Sequence, residues 1–171
     1  RPSAPAALRP RACFTLRLWA SRRISMKNRY LVIHGFARDR YEAITMCGEA
    51  LYKEGLVSEQ FGTLCVEREK NYPTGLPTEI PTAIPHAKDE SITQNSVCFL
   101  KLDRPVSFKR MDDDTQDVST DMIFNLAIKD PNEHLQALQN MMGFLNDSEA
   151  LLKCKSLSDE ELIEYLQEKI G

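Results

Sequence analysis

The sequence lacks the patterns that mark several large classes of enzyme and membrane protein. No apolar run approaches the roughly 20 residues that a membrane-spanning helix needs. Neither glycine-rich phosphate-binding pattern, GxxxxGKS/T or GxGxxG, occurs, and the nucleophile elbow GxSxG is missing too. These 171 residues therefore predict neither a membrane span nor a phosphate-binding loop nor a hydrolase elbow.

Cysteine and histidine are too scattered to predict a disulfide framework or a metal site. The three histidines are widely separated, and the cysteines are odd in number and include no CxxC pair. Reduced thiols in a cytoplasmic protein are the simplest interpretation. The five cysteines are Cys13, Cys47, Cys65, Cys98 and Cys154.

Acidic residues and lysine are absent from the first 25 residues, which contain six arginines. This composition resembles a transit peptide, but a disordered tail derived from upstream or vector sequence is the preferred interpretation. Met26 opens a sequence of ordinary globular composition, and we assign residues 26–171 to one domain. Without the six arginines, 16 basic and 25 acidic residues remain, a net charge of −9. So acidic a domain argues against nucleic acid and anionic membranes as partners.

The first half of this domain predicts one strand and two helices. A β-rich run over 30–33 predicts the first strand. Asp39 predicts a helix start, with Glu42 three residues later as a capping box, and Gly55 predicts the stop. Ser58 predicts the start of a second helix. The inner face of that helix is expected to carry Phe61, Leu64 and Cys65.

The second half predicts three further extended runs. Residues 97–100 and 106–108 are two short candidate strands. Residues 118–128 are apolar on both sides, which is typical of a central strand covered on both faces. Together with a short strand over Ala83 and Ile84, these runs give an expected total of about five strands and four or five helices in mixed order.

Three helices are predicted near the carboxyl end. Asp130 and Pro131 predict the start of the first helix, and residues 148–154 are expected to form a short second one. Ser158 and Glu161 form a capping box that predicts the start of the last helix. The positions expected to face the core in the first and last of these helices are Leu135, Leu138, Met142, Leu145, Leu162, Ile163, Leu166 and Ile170.

Four prolines stiffen residues 72–87, the segment on which the functional interpretation rests. Pro85 fixes its own φ and pushes Ile84 into extended geometry, so a short strand over Ala83 and Ile84 is expected to end just before His86. A stiff loop that presents one imidazole suits a reactive site. A proline-rich surface loop with an incidental histidine is the alternative, and this loop alone does not decide between them.

Other titratable residues are candidates for a site, each with a structural alternative. Arg68 shares the apolar face of the second helix with Cys65, where a guanidinium needs an anion partner or extends from the helix end to solvent. His134 is expected in the first turn of its helix, where backbone N–H groups favour an anion, or as a packed histidine. Glu79 is a loop carboxylate, and His34 is interpreted as structural.

Four motifs follow one another in a recognisable order: Arg68-Glu69-Lys70, Tyr72-Pro73-Thr74-Gly75, Ala83-Ile84-Pro85-His86-Ala87 and Asn132-Glu133-His134. Together they resemble the fructose/mannitol-type enzyme IIA domain of the bacterial phosphoenolpyruvate-dependent sugar phosphotransferase system, over essentially all of residues 26–171. The Tyr-Pro-Thr-Gly motif, the run over 106–108 and the acidic turn over 112–114 look most like galactitol-specific members. The resemblance implies an α/β fold: a single mixed five-stranded β-sheet with helices on both faces.

The resemblance also implies roles for individual residues. His86 would accept a phosphoryl group from the phosphocarrier protein HPr and pass it to a cysteine of enzyme IIB, which works with a membrane IIC component. Arg68 would stabilise the phosphoryl charge, and His134 would be a second active-site histidine, which galactitol-type members need not possess. The loop before His86 is slightly longer than in mannitol-type members, which leaves the role of Glu79 open. No metal or other cofactor is implied, because the donor is already a phosphohistidine.

Two functions remain open under this resemblance. The first is a phosphotransferase relay for the uptake of a sugar or hexitol, with galactitol preferred. The second is a regulatory module like the nitrogen-related enzyme IIA proteins, whose phosphorylation state controls a partner protein. Neighbouring genes for IIB and IIC would favour the first, and nitrogen or transcription regulators the second.

Overall fold

A computed structural model describes residues 28–132 and 135–171, which contain five strands and five helices. The strands are β1 (Arg29–Gly35), β2 (Gly75–Leu76), β3 (Thr82–Ala83), β4 (Ser96–Lys109) and β5 (Asp117–Ala127). The helices are α1 (Arg40–Lys53), α2 (Phe61–Asn71), α3 (Leu135–Leu145), α4 (Ser148–Ser156) and α5 (Asp159–Ile170). The predicted tail, residues 1–25, lies outside the described residues.

The five strands form one mixed sheet in the order β1-β4-β5-β3-β2. β4 and β5 pair antiparallel, whereas β1 joins β4 and β3 joins β5 in parallel. The short strands β2 and β3 pair antiparallel at one edge. β5 is thus the third of five strands, and every residue from Met122 to Ala127 is buried. This confirms the prediction of a central strand covered on both faces.

Helices cover both faces of the sheet, as the resemblance implied. α1 and α2 pack on one face, where Ile44 and Phe61 belong to the core. α3, α4 and α5 pack on the other face. There the ring of Phe124 stacks on Phe99 with 4.3 Å between centroids, and Phe144 approaches Phe124 edge-on. Because successive residues of a strand point to opposite faces, β5 supplies both cores at once.

Strand β4 joins two runs, 97–100 and 106–108, that were predicted as separate strands. Its pairing with β5 shifts register between Lys101 and Val106, and the strand continues through the shift. Pro105, which has no backbone N–H, lies in this irregular part, where regular ladder bonds are already interrupted. Five strands are still present, because β2 forms inside the proline-rich segment, where no separate strand was predicted.

The first two helices begin in different ways. Asp39 accepts the N–H of Glu42 at 2.9 Å, which confirms the predicted cap of α1. The Glu42 carboxylate binds Arg38 instead, so the reciprocal bond of the capping box is not made. The prediction that Ser58 begins α2 is wrong. Its hydroxyl donates to Asp89, and the helix begins three residues later.

α1 and α2 cross at a pair of glycines. A Cβ added to Gly48 would lie 2.5 Å from the Cα of Gly62, so the two backbones are in direct contact. This close approach fixes the position of α2 and of Arg68 in its last turn. Gly55 ends α1 with φ 71, as predicted, whereas Leu64, predicted to be buried in α2, is exposed.

The carboxyl-terminal helices confirm part of the prediction. α4 begins at Ser148, and the hydroxyl of Ser158 accepts the N–H of Glu161 at the start of α5. The predicted helix start at Asp130 and Pro131 is not observed, because residues 131 and 132 form a turn and the first described helical residue is 135. In α3 the predicted Leu138 and Leu145 contact the core together with Met141 and Phe144, whereas the predicted Leu135 and Met142 are exposed.

Candidate active site

His86 lies just beyond β3, where the chain runs beside β5. The carbonyl of Pro85 accepts the N–H of Leu126 at 2.9 Å, and His86 and Leu126 form a parallel bridge. His86 Nδ1 lies 2.7 Å from the carbonyl oxygen of Ile84. Because a carbonyl oxygen only accepts hydrogen bonds, Nδ1 carries the proton and Nε2 keeps its lone pair. The fold thus leaves Nε2 available as a nucleophile and holds Nδ1 in a hydrogen bond.

Burial favours the neutral form of this imidazole. Partial burial of the ring lowers the pKa of His86 below the ordinary histidine value. The hydrogen bond to Ile84 opposes that shift, and the positive charge of Arg68 adds to it. At neutral pH the lone pair of Nε2 is therefore available.

Arg68 lies half-buried in the last turn of α2, with its guanidinium carbon 5.3 Å from the ring centroid of Tyr72. In the two described ranges, no carboxylate lies within ion-pair distance of the guanidinium. Its N–H groups are therefore available to an anion in front of His86.

Arg68 and His86 line the same cleft of about 670 Å³. Tyr72 and Met111 also line it and are 65% and 45% exposed. The acidic turn over 112–114 contributes three aspartates to the lining. The cleft thus combines one guanidinium and one neutral imidazole with an acidic margin, which suits transient binding of a phosphoryl group carried by a basic partner.

Two other candidate residues, Glu79 and His34, do not line this cleft. Glu79 accepts the hydroxyl of Ser148 at 2.8 Å, at the start of α4. His34 binds Asp159 at 2.7 Å, and both side chains are about half exposed. His134 lies outside the described residues, so its position near His86 stays a prediction.

Sequence reasoning missed a buried carboxylate beside Arg68. Glu69 is 4% exposed, and its two oxygens accept the N–H and the hydroxyl of Thr74 at 2.9 and 2.7 Å. Burial raises the pKa of Glu69, while the bonds from Thr74 and the charges of nearby arginines oppose the shift. The sequence did contain a signal, because Glu69 continues the four-residue spacing of Phe61 and Cys65 on the buried face of α2.

The glycine of the Tyr-Pro-Thr-Gly motif fits a close approach between strands. A Cβ added to Gly75 would lie 2.6 Å from the carbonyl oxygen of Lys109, so a side chain at this position would displace β4. The carbonyl of Gly75 accepts the N–H of Met111 at 2.8 Å. This bond joins the start of β2 to Met111, which lines the cleft and directly precedes the acidic turn.

Comparison with known proteins gives the family. Residues 26–169 match the model of the family described as phosphoenolpyruvate-dependent sugar phosphotransferase system, EIIA 2. The chain belongs to this family. It is an EIIA component of the phosphotransferase system, and therefore a phosphotransferase. This confirms the resemblance drawn from the four motifs, since the match spans the positions of all of them.

The relatives of this EIIA carry names that point to different sugars or to regulation. The galactitol-specific EIIA component of Escherichia coli K12 is 26% identical over 128 residues, covering 74% of this chain and 85% of the relative. The complex of enzyme IIAMTL with phosphorylated enzyme IIBMTL from Escherichia coli contains a chain 25% identical, with a TM-score of 0.62 and coverage of 80% and 92%. The nitrogen regulatory protein IIA-Ntr from Neisseria meningitidis matches with a TM-score of 0.64 at 23% identity, over 80% and 92% of the chains, which shows a shared fold.

The described part of this EIIA contains five helices, and none of them is both long and apolar enough to cross a bilayer. No cluster of three or more histidine, cysteine or acidic side chains in the same residues could hold a metal ion.

Proposed function

We propose that this EIIA accepts a phosphoryl group from phospho-HPr on Nε2 of His86 and passes it to a cysteine of an enzyme IIB. The observation that carries the proposal is the bond from Nδ1 of His86 to the carbonyl of Ile84, in a cleft that also contains Arg68. That bond leaves Nε2 as the nucleophile, and the burial of the ring keeps it unprotonated near neutral pH.

The transfer balances without a cofactor. Nε2 attacks the phosphorus of a donor phosphohistidine whose other ring nitrogen is protonated. The donor P–N bond breaks, its electron pair returns to the donor ring, and that ring leaves neutral. The positive charge then lies on the His86 ring, where the Nδ1 proton faces the oxygen of Ile84. Attack by the IIB thiolate reverses the pattern, since the new P–N bond breaks and its electrons return to Nε2.

The guanidinium of Arg68 would stabilise the phosphoryl oxygens during both transfers. A loose phosphoryl-transfer transition state needs alignment and compensation of negative charge more than covalent chemistry. Arg68 has no carboxylate partner among the described residues, so its charge is free for that role. We assign His134 a supporting role beside the phosphoryl group, on the family pattern alone.

For the transported molecule we propose galactitol, taken up through a membrane IIC component. This finer assignment rests on the galactitol-specific relative and on the motifs shared with that subfamily. The named mannitol complex supports IIB as the acceptor. The regulatory alternative has only the shared fold in its favour, because the nitrogen regulatory protein is 23% identical.

The decisive experiment is phosphorylation by phosphoenolpyruvate, enzyme I and HPr. The wild-type protein should acquire one acid-labile, base-stable phosphate, and His86→Ala should acquire none. His34→Ala is the matched control and should label like wild type, because His34 lies outside the cleft. Labelling of His86→Ala at wild-type stoichiometry would overturn the proposal.

A second step separates the transport relay from the regulatory module. The phosphorylated protein is mixed with purified IIB proteins of the galactitol, mannitol and fructose types. Fastest transfer to the galactitol type is the expected result. Efficient phosphorylation with transfer to none of the three would favour the regulatory function.

A further inference from the structure

Glu69 is the one charged side chain that is buried among the residues the structure describes. A buried carboxylate is costly unless it is hydrogen-bonded, and here a single residue supplies both bonds. The N–H and the hydroxyl of Thr74 donate to the two oxygens of Glu69 at 2.9 and 2.7 Å. These two bonds form a clamp between Glu69 and Thr74. Thr74 itself is 1% exposed, so the clamp is shielded from water.

The clamp continues toward His86 through the main chain. The carbonyl of Thr74 accepts the N–H of Ile84 at 3.2 Å, and the carbonyl of Ile84 accepts the Nδ1 proton of His86 at 2.7 Å. Three hydrogen-bonded steps therefore lead from the Glu69 carboxylate to the imidazole. The first two steps join residues five and ten positions apart in sequence, and the last joins residues two positions apart.

The other end of the clamp is the helix that carries Arg68. Glu69 follows Arg68 directly, and the N–H of Tyr72 closes the helix on the carbonyl of Arg68 at 2.7 Å. The clamp to Thr74 thus spans residues 70–73, the end of α2 and the turn that follows it, part of which lines the cleft. One carboxylate joins the element that supplies the guanidinium to the element that supplies the imidazole.

We infer that Glu69 is a positioning residue, which through Thr74 and Ile84 sets the distance between Arg68 and His86 and holds His86 in its Nδ1–H tautomer. Its effect on phosphoryl transfer rests on the proposed function, whereas its effect on the tautomer does not. Glu69 touches neither the phosphoryl group nor the reacting nitrogen, so it acts only through the residues it holds.

The test compares Glu69→Ala with Glu69→Gln and with the matched control Glu67→Ala. Glutamine has the same shape and can still accept the Thr74 N–H, so it should rescue the clamp. Glu67 is an exposed acid of the same helix that pairs with Lys70 at 3.1 Å, so its removal changes the charge without touching Thr74. The first readout is the tautomer of His86, taken from the nitrogen chemical shifts of the unphosphorylated protein at neutral pH.

Wild type, Glu69→Gln and Glu67→Ala should show a protonated Nδ1 and a bare Nε2. Glu69→Ala should show the two shifts converging, as in a mixture of tautomers. With phospho-HPr as donor, Glu69→Ala should lose about ten-fold or more in kcat with a much smaller change in KM, because misplaced groups affect the transition state more than binding. A folded Glu69→Ala with wild-type shifts and wild-type kcat would overturn the inference.

If Glu69→Ala does not fold, Thr74→Val tests the positioning role of Glu69 instead. Valine keeps the shape of threonine and removes only the hydroxyl donor, so the tautomer should be partly mixed while the fold persists. Unchanged nitrogen shifts and unchanged kcat in that variant would also overturn the inference. If HPr fails to label even wild type, the proposed function is wrong, and the tautomer comparison still decides the role of Glu69.

Discussion

Two different influences act on the His86 ring. The carbonyl of Ile84 selects which nitrogen carries the proton, whereas burial and the charge of Arg68 lower the pKa of the ring against the opposing effect of the Ile84 bond. The first effect is geometric and the second electrostatic, so they can be measured separately. The same division applies to substitutions, since a change at Arg68 alters charge while leaving the bond to Ile84 in place.

The pKa of His86 should lie below the ordinary value of about 6.5. We expect the midpoint of its NMR titration to be lower than 6.5, with phosphoryl acceptance falling only on the acid side of that midpoint. The folded state therefore favours the neutral ring. The contribution of His86 to the free energy of unfolding is present above about pH 6.5 and is lost as pH falls through the folded pKa.

The variant Arg68→Gln tests the electrostatic part of this shift. Removal of the positive charge should raise the titration midpoint of His86, although burial, the larger cause, should still hold it down. The nitrogen shifts that report the tautomer should stay as in wild type. A midpoint above 6.5 in the wild-type protein would contradict this account of the site.

At the scale of elements, the crossing of α1 and α2 is the feature most sensitive to one added methyl group. Gly48→Ala should lower the free energy of unfolding by about 1–3 kcal/mol, because the new Cβ would meet the backbone of Gly62 and the helices would have to separate. Chemical denaturation followed by circular dichroism measures the change. The separation would also move Arg68, so phosphoryl transfer should slow.

Gly143→Ala is the control for the same substitution without the contact. A Cβ at this exposed position of α3 meets no atom within 4 Å. Alanine should therefore raise the free energy of unfolding by roughly 0.5–1 kcal/mol through its better helix propensity. Equal effects of the two substitutions would show that the helix crossing is less tight than the structure indicates.

The sequence predicts best those elements whose limits depend on local chemistry. Asp39 and Ser158 begin helices and Gly55 ends one as expected, because caps are decided within one turn of the chain. The failures depend on contacts distant in sequence. Ser58 does not cap α2 because its hydroxyl binds Asp89, which lies 31 residues away.

The features of the candidate site also divide into those that local sequence predicts and those that depend on contacts distant in sequence. The position of His86 just after a short strand could be predicted from Pro85, because proline restricts the chain locally. The clamp between Glu69 and Thr74 could not be predicted, since a glutamate between an arginine and a lysine is typical of an exposed helix face. Only its four-residue spacing from Cys65 indicated burial, and the identity of its partner required the fold.

At the scale of the whole molecule, we predict that phosphoryl acceptance needs only residues 26–171. Deletion of residues 1–25 should leave the rate of phosphoryl acceptance unchanged and should move the melting temperature by less than about 2 °C, which corresponds to under about 1 kcal/mol for a domain of this size. The reason is compositional, because that segment has no hydrophobic periodicity to pack against the domain. Calorimetry of both forms measures the difference, and a fall of many degrees would show that the segment is part of the fold.

The oxygen that selects the tautomer of His86 belongs to the main chain at Ile84. No codon change can delete a peptide carbonyl, so a saturation mutagenesis screen would score position 84 only by how its side chain packs. Such a screen would attribute the loss of activity to positions such as 69 and 74, which we propose act without contacting the phosphoryl group. Replacing the carbonyl oxygen of Ile84 with sulfur, as a thioamide introduced by chemical synthesis, weakens the acceptor atom itself and would reveal the contribution that codon changes cannot test.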